Sequence, residues 1–170
     1  MRTARDERAR VRGAQEGSVS DLEALFRTHW PRAYRAAYLV THDAAAAEDI
    51  AQESFLAALR ALDHFDRRRP FGPWLHRIVV NRAIDWTRAR HLRAEVELTD
   101  SFHAPSPPPT SPGDDVMAAL ARLPPEHRAI VVMRYVLEFT PGEIADALDL
   151  PRGTVNSRLR RGLDALGAEL

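Results

Sequence analysis

Apolar residues recur every three to four positions along most of this chain. Nowhere do they alternate with polar ones for long enough to make a strand, so the pattern predicts an all-α protein. A first segment, capped by Ser20, puts Leu22, Leu25, Phe26 and Trp30 on one stripe and continues beyond Pro31 through Tyr34, Ala37 and Tyr38. Asp43 opens a second helix. Ala46, Ile50, Ala57, Leu59 and Leu62 form its packing side, and Glu48, Asp49, Gln52 and Glu53 gather elsewhere as an acidic cluster. In a third, FGPWLHRIVVNRAIDWTRAR, the residues Trp74, Leu75, Ile78, Val79 and Ile84 fit a buried stripe, while Trp86 is open to either reading. Residues 1–17 mix charge with Gly and lack a clear period, which predicts a frayed or only partly helical start.

Further on, Val116, Leu120 and Leu123 make a short amphipathic helix that Pro124 and Pro125 interrupt. Ile130, Val131, Met133 and Leu137 make another, and both are expected to buttress the C-terminal stretch TPGEIADALDLPRGTVNSRLRR, from Thr140 to Arg161. Thr140 can N-cap a helix, with Glu143 as its capping-box partner and Pro141 at the first helical position, where a missing N–H costs nothing. Ile144, Ala147 and Leu148 give that helix one apolar face, and Asp149, Leu150 and Pro151 break it within three residues. A second helix restarts near Pro151, with Val155, Leu159, Gly162, Leu163 and Leu166 expected to face inward. This is a helix-turn-helix pattern.

The other side of that last helix carries Arg152, Thr154, Asn156, Ser157, Arg158, Arg160 and Arg161, with no acid between Arg152 and Arg161. Arg forks onto a guanine edge, Asn onto adenine, and Ser or Thr holds phosphates, so the face suits a DNA major groove. A second basic block spans Asp66 to Arg93, where eight arginines stand against two acids and interleave with Phe71, Trp74 and Trp86. Arginines beside aromatics fit unpaired bases, each of which offers a flat face and a phosphate. Between the two blocks, residues 94–113 hold five prolines and no arginine, the composition of a linker. At a polyproline rise of ~3.1 Å per residue it reaches roughly 60 Å, the length of about 18 base pairs.

The 24 basic residues, all arginine, balance 24 acids, so any attraction to nucleic acid must arise locally. The absence of cysteine excludes disulfides, thiolate catalysis and Cys-based zinc sites. His29, His42, His64, His76, His91, His103 and His127 show no metal-ligand spacing, and no nucleophile stands beside a base, so neither a metal, a cofactor nor an enzymatic activity is expected. No apolar run is long enough to span a membrane and no secretory signal precedes the first helix, which places the chain in the cytoplasm as an expectation.

In this order and spacing, the motifs resemble the extracytoplasmic-function (ECF) group of bacterial sigma-70 factors. The resemblance implies two small helical domains joined by the Pro-rich linker: region 2 over 18–93, the linker over 94–113, and region 4 with its helix-turn-helix over 114–170. AEDIAQESFLAAL is similar to the helix that docks on the β′ coiled coil of core RNA polymerase, which gives Asp49, Gln52, Glu53 and Phe55 that role; region 4 implies the β flap as a second contact. Arg77, Asn81, Arg82, Trp86 and Arg88 then fall where the group melts and reads the minus-10 element of promoter DNA, with Asn81 near a flipped base. The face from Arg152 to Arg161 falls where it reads the minus-35 element. Members of the group are commonly held inactive by an anti-sigma factor, and the sequence leaves open whether this chain has one. It departs from the pattern at Gly72-Pro73, near the melted strand, and at Gly162, where Ala is usual and little change is expected. The rival reading is an autonomous helix-turn-helix regulator with a sensing or dimerising N-terminal domain. It has no need of the acidic helix or the basic aromatic block.

Overall fold

The computed structural model describes residues 2–97 and 112–169, and every regular element among them is helical. The N-terminal half is α1 (Arg2–Gln15), α2 (Val19–Thr41), α3 (Ala44–Ala61), a 3₁₀ turn (Leu62–His64) and α4 (Phe71–Glu97). The C-terminal half is α5 (Pro112–Arg122), α6 (Pro125–Tyr135), α7 (Pro141–Leu148) and α8 (Arg152–Glu169). Helix α2 starts at the cap Ser18, two residues before the expected Ser20, and runs unbroken through Pro31. Asp43 caps α3 as expected, accepting from the Ala46 N–H at 3.0 Å. Of the predicted linker, residues 94–97 belong to α4 and residues 112–113 to α5; residues 98–111 lie outside the described ones.

Residues 2–15 form a full helix, which corrects the expectation of a frayed start. Its anchors are mostly polar. Val11 is buried, but Gln15 donates to the carbonyls of Leu62 and Phe65 at 2.7 and 3.1 Å, and Glu7 accepts from the Phe71 N–H at 3.3 Å. A hydrophobic period cannot register hydrogen bonds to a loop fifty residues away.

The buried residues of the two halves form one continuous cluster, from Val40 and Val79 to Ile130, Met133 and Ile144. Helix α6 packs on α2 and α4 as well as on α7 and α8. Arg128, on α6, is 7 % exposed and joins the halves: it donates to Val40 O at 2.6 Å, near the end of α2, and to Ala121 O and Leu123 O at 2.6 and 2.9 Å, at the end of α5. A buried cation is thus set against the carbonyl ends of two helices, where the helix dipoles favour positive charge.

Candidate nucleic-acid interface

The helix-turn-helix is specified locally. Glu143 accepts from the Thr140 N–H and hydroxyl at 2.7 and 2.8 Å, and Thr140 Oγ1 accepts from the Glu143 N–H at 3.3 Å, which closes the capping box. The Thr140 N–H holds the Glu143 carboxyl below its usual range. Asp149 ends α7 in the left-handed region at φ 52°, and the N–H of Leu150 bonds back to Ala145 O at 2.9 Å. Helix α8 then seats Val155, fully buried, in the shared core. Gly162 is buried too: a methyl there would stand 3.0 Å from Val131 Cγ2, so glycine lets α8 approach α6 closely. Leu163, expected inside, is 39 % exposed and does not join this face.

Asn156, Ser157, Arg160 and Arg161 are exposed along α8, and Thr154 and Arg158 are half-buried beside them. The Ser157 hydroxyl donates to Thr154 O at 3.1 Å, and Arg160 has only a loose contact with Asp164 at 3.9 Å. The exposed Arg152 folds back towards α7, where its guanidinium fills the space that a Cβ on Gly142 would need. Arg158 and Arg161 both bear on His127 of α6, whose pKa is lowered by partial burial and by these two guanidinium groups. Their cationic surface therefore extends from α8 towards α6.

The residues singled out on α4 are differently engaged. Arg77 is exposed and lines a cleft of about 200 Å³ between the start of α4 and α7, shared with Arg69, Trp74 and Ala147. Asn81 donates to Ala147 O of α7 at 3.1 Å, and Arg88 donates to Glu126 of α6 at 3.1 Å. Arg82 pairs with Glu53 of α3 at 2.9 Å. Trp86 is half-buried beneath the Arg90 guanidinium, 5.2 Å from its ring centre, at a second cleft between the halves that Thr41 and Arg128 also line. Trp74 packs its ring 4.5 Å from that of Phe65, as expected of a largely core residue. Gly72 lies in the first turn of α4 where a methyl would meet His29 Cε1 at 3.0 Å, so its departure from the pattern serves a close approach to α2.

On α3, Asp49, Gln52 and Glu53 are exposed on one stripe. Phe55 is not on it. Its ring is 5 % exposed and sits 4.8 Å from Phe26 and 5.9 Å from Trp30, so the reading of Phe55 as a docking contact is corrected to core packing. Leu56, which the sequence pattern did not single out, is 46 % exposed and completes the stripe at the i, i+3, i+4, i+7 spacing from Asp49. Its signal was present in that spacing. Among the described residues no group of His, Asp and Glu is arranged to hold a metal, and no helix is long and apolar enough to cross a membrane.

Comparison with known proteins agrees with this geometry. Residues 25–93 match the family described as Sigma-70 region 2, and residues 113–166 match Sigma-70, region 4. The chain is 30% identical to the ECF RNA polymerase sigma factor SigW of Bacillus subtilis over 95% of each chain, and 35% identical to SigL of Mycobacterium tuberculosis over 93% of each. Among solved structures, CnrH in complex with the cytosolic domain of CnrY superposes with a TM-score of 0.71 at 27% identity, covering 96% of each chain. The sigma factor RpoE of Bartonella quintana, solved with the anti-sigma factor NepR, shares the fold at a TM-score of 0.72 and 21% identity, over 89% of this chain and 97% of that one. Matched by both sigma-70 region models and, along nearly its whole length, by relatives at 30–35% identity, the chain belongs to the ECF sigma factors of the sigma-70 family.

Proposed function

We propose that the α3 stripe of Asp49, Gln52, Glu53 and Leu56 docks the chain on the β′ coiled coil of core RNA polymerase, with the β flap receiving the C-terminal half. The exposed cationic face of α8, from Asn156 to Arg161, reads the minus-35 element as duplex in the major groove. Helix α4 and the arginine loop before it hold the melted minus-10 strand: Arg77 and Arg82 take phosphates, Asn81 takes a flipped base, and Trp86 offers a stacking face. In this reading residues 18–93 and 114–170 are the two working units and 94–113 the tether between them. The chain carries no reaction of its own; polymerase supplies the chemistry, and the site of action is the cytoplasm.

The observation that carries the reading is the sorting of charge onto separate helices: an acid stripe on α3, and arginine faces on α4 and α8, in a chain of zero net charge. The Asn81 bond to Ala147 O and the Arg88 bond to Glu126 engage minus-10 groups with the C-terminal half, so the proposed reading requires the halves to part on polymerase. A closed form of this kind is a suitable target for an inhibitor, and CnrH and RpoE were solved with CnrY and with the anti-sigma factor NepR. We therefore count an anti-sigma factor among the proposed partners. Retention of purified core polymerase by the immobilised chain tests the docking assignment. Wild type should retain it and Asp49→Ala with Gln52→Ala should not; equal retention by both would refute the assignment of this stripe.

A further inference from the structure

Helix α1 precedes residue 25, where the region 2 match begins, and the function proposed above gives it no role. Its inner side buries Val11, packs on α2, where Glu7 meets His29 at 2.9 Å, and is tied to the segment 62–71 by Gln15 and Glu7. At 100° per residue, Arg5, Arg8 and Arg12 fall within about 60° of one another, on the flank nearest Gln15. All three are exposed, and Arg8 Nη2 reaches Arg68 O at 3.5 Å, so this flank abuts the exposed loop arginines Arg67, Arg68 and Arg69. Asp66 neutralises Arg68 at 3.0 Å and also bears on Arg69, but among the described residues Arg5, Arg8, Arg12 and Arg67 have no ion pair with a carboxylate. Asp6 stands further round α1; Glu16, just past the helix end, falls beside Arg12 at i+4 but forms no ion pair with it; and Arg10, on the opposite side, faces Thr28 at 3.5 Å. The ridge is continuous with the α4 surface, because Arg69 and Arg77 line the same cleft.

We infer that Arg5, Arg8 and Arg12 form a clamp for the sugar-phosphate backbone of the DNA strand held by α4. The inference rests on the minus-10 assignment for the strand's position, though not for its chemistry. Unpaired, solvated guanidinium groups bind phosphates with little desolvation penalty and release counterions from the strand. From Arg5 to Arg12 the helix rises about 10 Å, the span of about three phosphates at ~3.4 Å per nucleotide of one strand, so three arginines meet three charges. An acidic protein surface would satisfy the same charges, but continuity with the arginine loop and the Arg77 cleft favours a nucleic-acid strand.

The test uses the full chain and two fluorescein-labelled probes of mixed sequence, a 30-nucleotide single strand and a 30-base-pair duplex, titrated at a series of salt concentrations. This readout involves neither polymerase nor a promoter, so it succeeds or fails independently of the docking assignment. For Arg5→Gln/Arg8→Gln/Arg12→Gln, single-strand affinity at low salt should fall about tenfold, and the slope of log K against log salt should shrink by about 2, at roughly 0.7 per phosphate lost. Arg10→Gln should match wild type. Unchanged affinity and slope in the triple variant overturn the clamp. So does loss of core polymerase retention with an unchanged slope, which would assign the ridge to a protein. Because the chain has no native cysteine, Ala9→Cys bearing a photo-crosslinker gives a second readout in an otherwise wild-type helix: crosslinking to the single strand supports the clamp, and its absence while DNA is bound overturns it.

Discussion

Replacing Arg128 with alanine should cost this protein on the order of 3–5 kcal/mol of stability. The guanidinium makes three hydrogen bonds to main-chain oxygens, one across the seam to Val40 and two to Ala121 and Leu123. At about 1.5–3 kcal/mol for each charge-assisted bond, the gross loss is roughly 5–9 kcal/mol. Against it stand the relief of a desolvated cation, whose pKa burial lowers, and of its Nε, which is buried without a partner. These offset several kcal/mol and leave a net loss near the middle of the range. The alanine also strands carbonyls at the ends of α2 and α5. Urea unfolding at neutral pH, followed by helical circular dichroism, reads the change. Arg128→Lys, which keeps the charge without the fork, should recover only part of the loss. A midpoint and slope within about 0.5 kcal/mol of wild type for Arg128→Ala would refute the idea that two helix ends share this cation.

Opening the seam should be easier to provoke than unfolding. Arg32 pairs with Glu138 at the surface at 3.0 Å and Asn81 makes one bond to Ala147 O, together worth about 1–2 kcal/mol, so Arg32→Ala/Asn81→Ala should shift the closed-to-open ratio by roughly tenfold. Distances between spin labels on Arg60→Cys and Ala165→Cys would lengthen if so; an unchanged distribution contradicts it. Thr140→Ala should remove about 1–2 kcal/mol through loss of the capping box and weaken duplex binding by α8, measurable by thermal melting and by DNA titration. Burial pushes His76 down to about 4 and does the same to the less buried His42, so below the unfolded value of 6.5 the unfolded chain binds protons that the folded one refuses. Stability is therefore full above pH ~6.5 and falls as pH drops to about 4, by up to roughly 3 kcal/mol for His76; His76→Leu should flatten that limb of the pH profile. Asp43 and Glu143, held low by the N–H groups of Ala46 and Thr140, withdraw their own contributions only at lower pH still.

The helices were legible wherever an apolar period and a local cap coincided. Thr140, Glu143 and Pro141 fix the start of α7 through contacts three residues apart, and such short-range chemistry survives in any tertiary setting. Helix α1 was not legible, because what holds it is Gln15 on Leu62 O and Phe65 O, and Glu7 on the Phe71 N–H, pairings over long separations with no periodic trace. Arg128 was missed for the same reason: one arginine in an amphipathic helix looks like a solvated one, and its burial follows from where α2 and α5 end. Phe55 shows the reverse error. Resemblance placed it among surface residues, while its contacts with Phe26 and Trp30 place it in the core and leave the outward position to Leu56. Resemblance to a family pointed to a helix, and only packing distinguished the residues facing out from those facing in.

Run-off transcription with purified core polymerase on fragmented genomic DNA of the source organism, with the RNA 5′ ends sequenced, tests the central claim most directly. The account predicts transcripts that depend on this chain, start downstream of one shared pair of elements, and vanish with Asp49→Ala/Gln52→Ala. Start sites indifferent to the chain, alongside sequence-specific duplex binding by the chain alone, would contradict it.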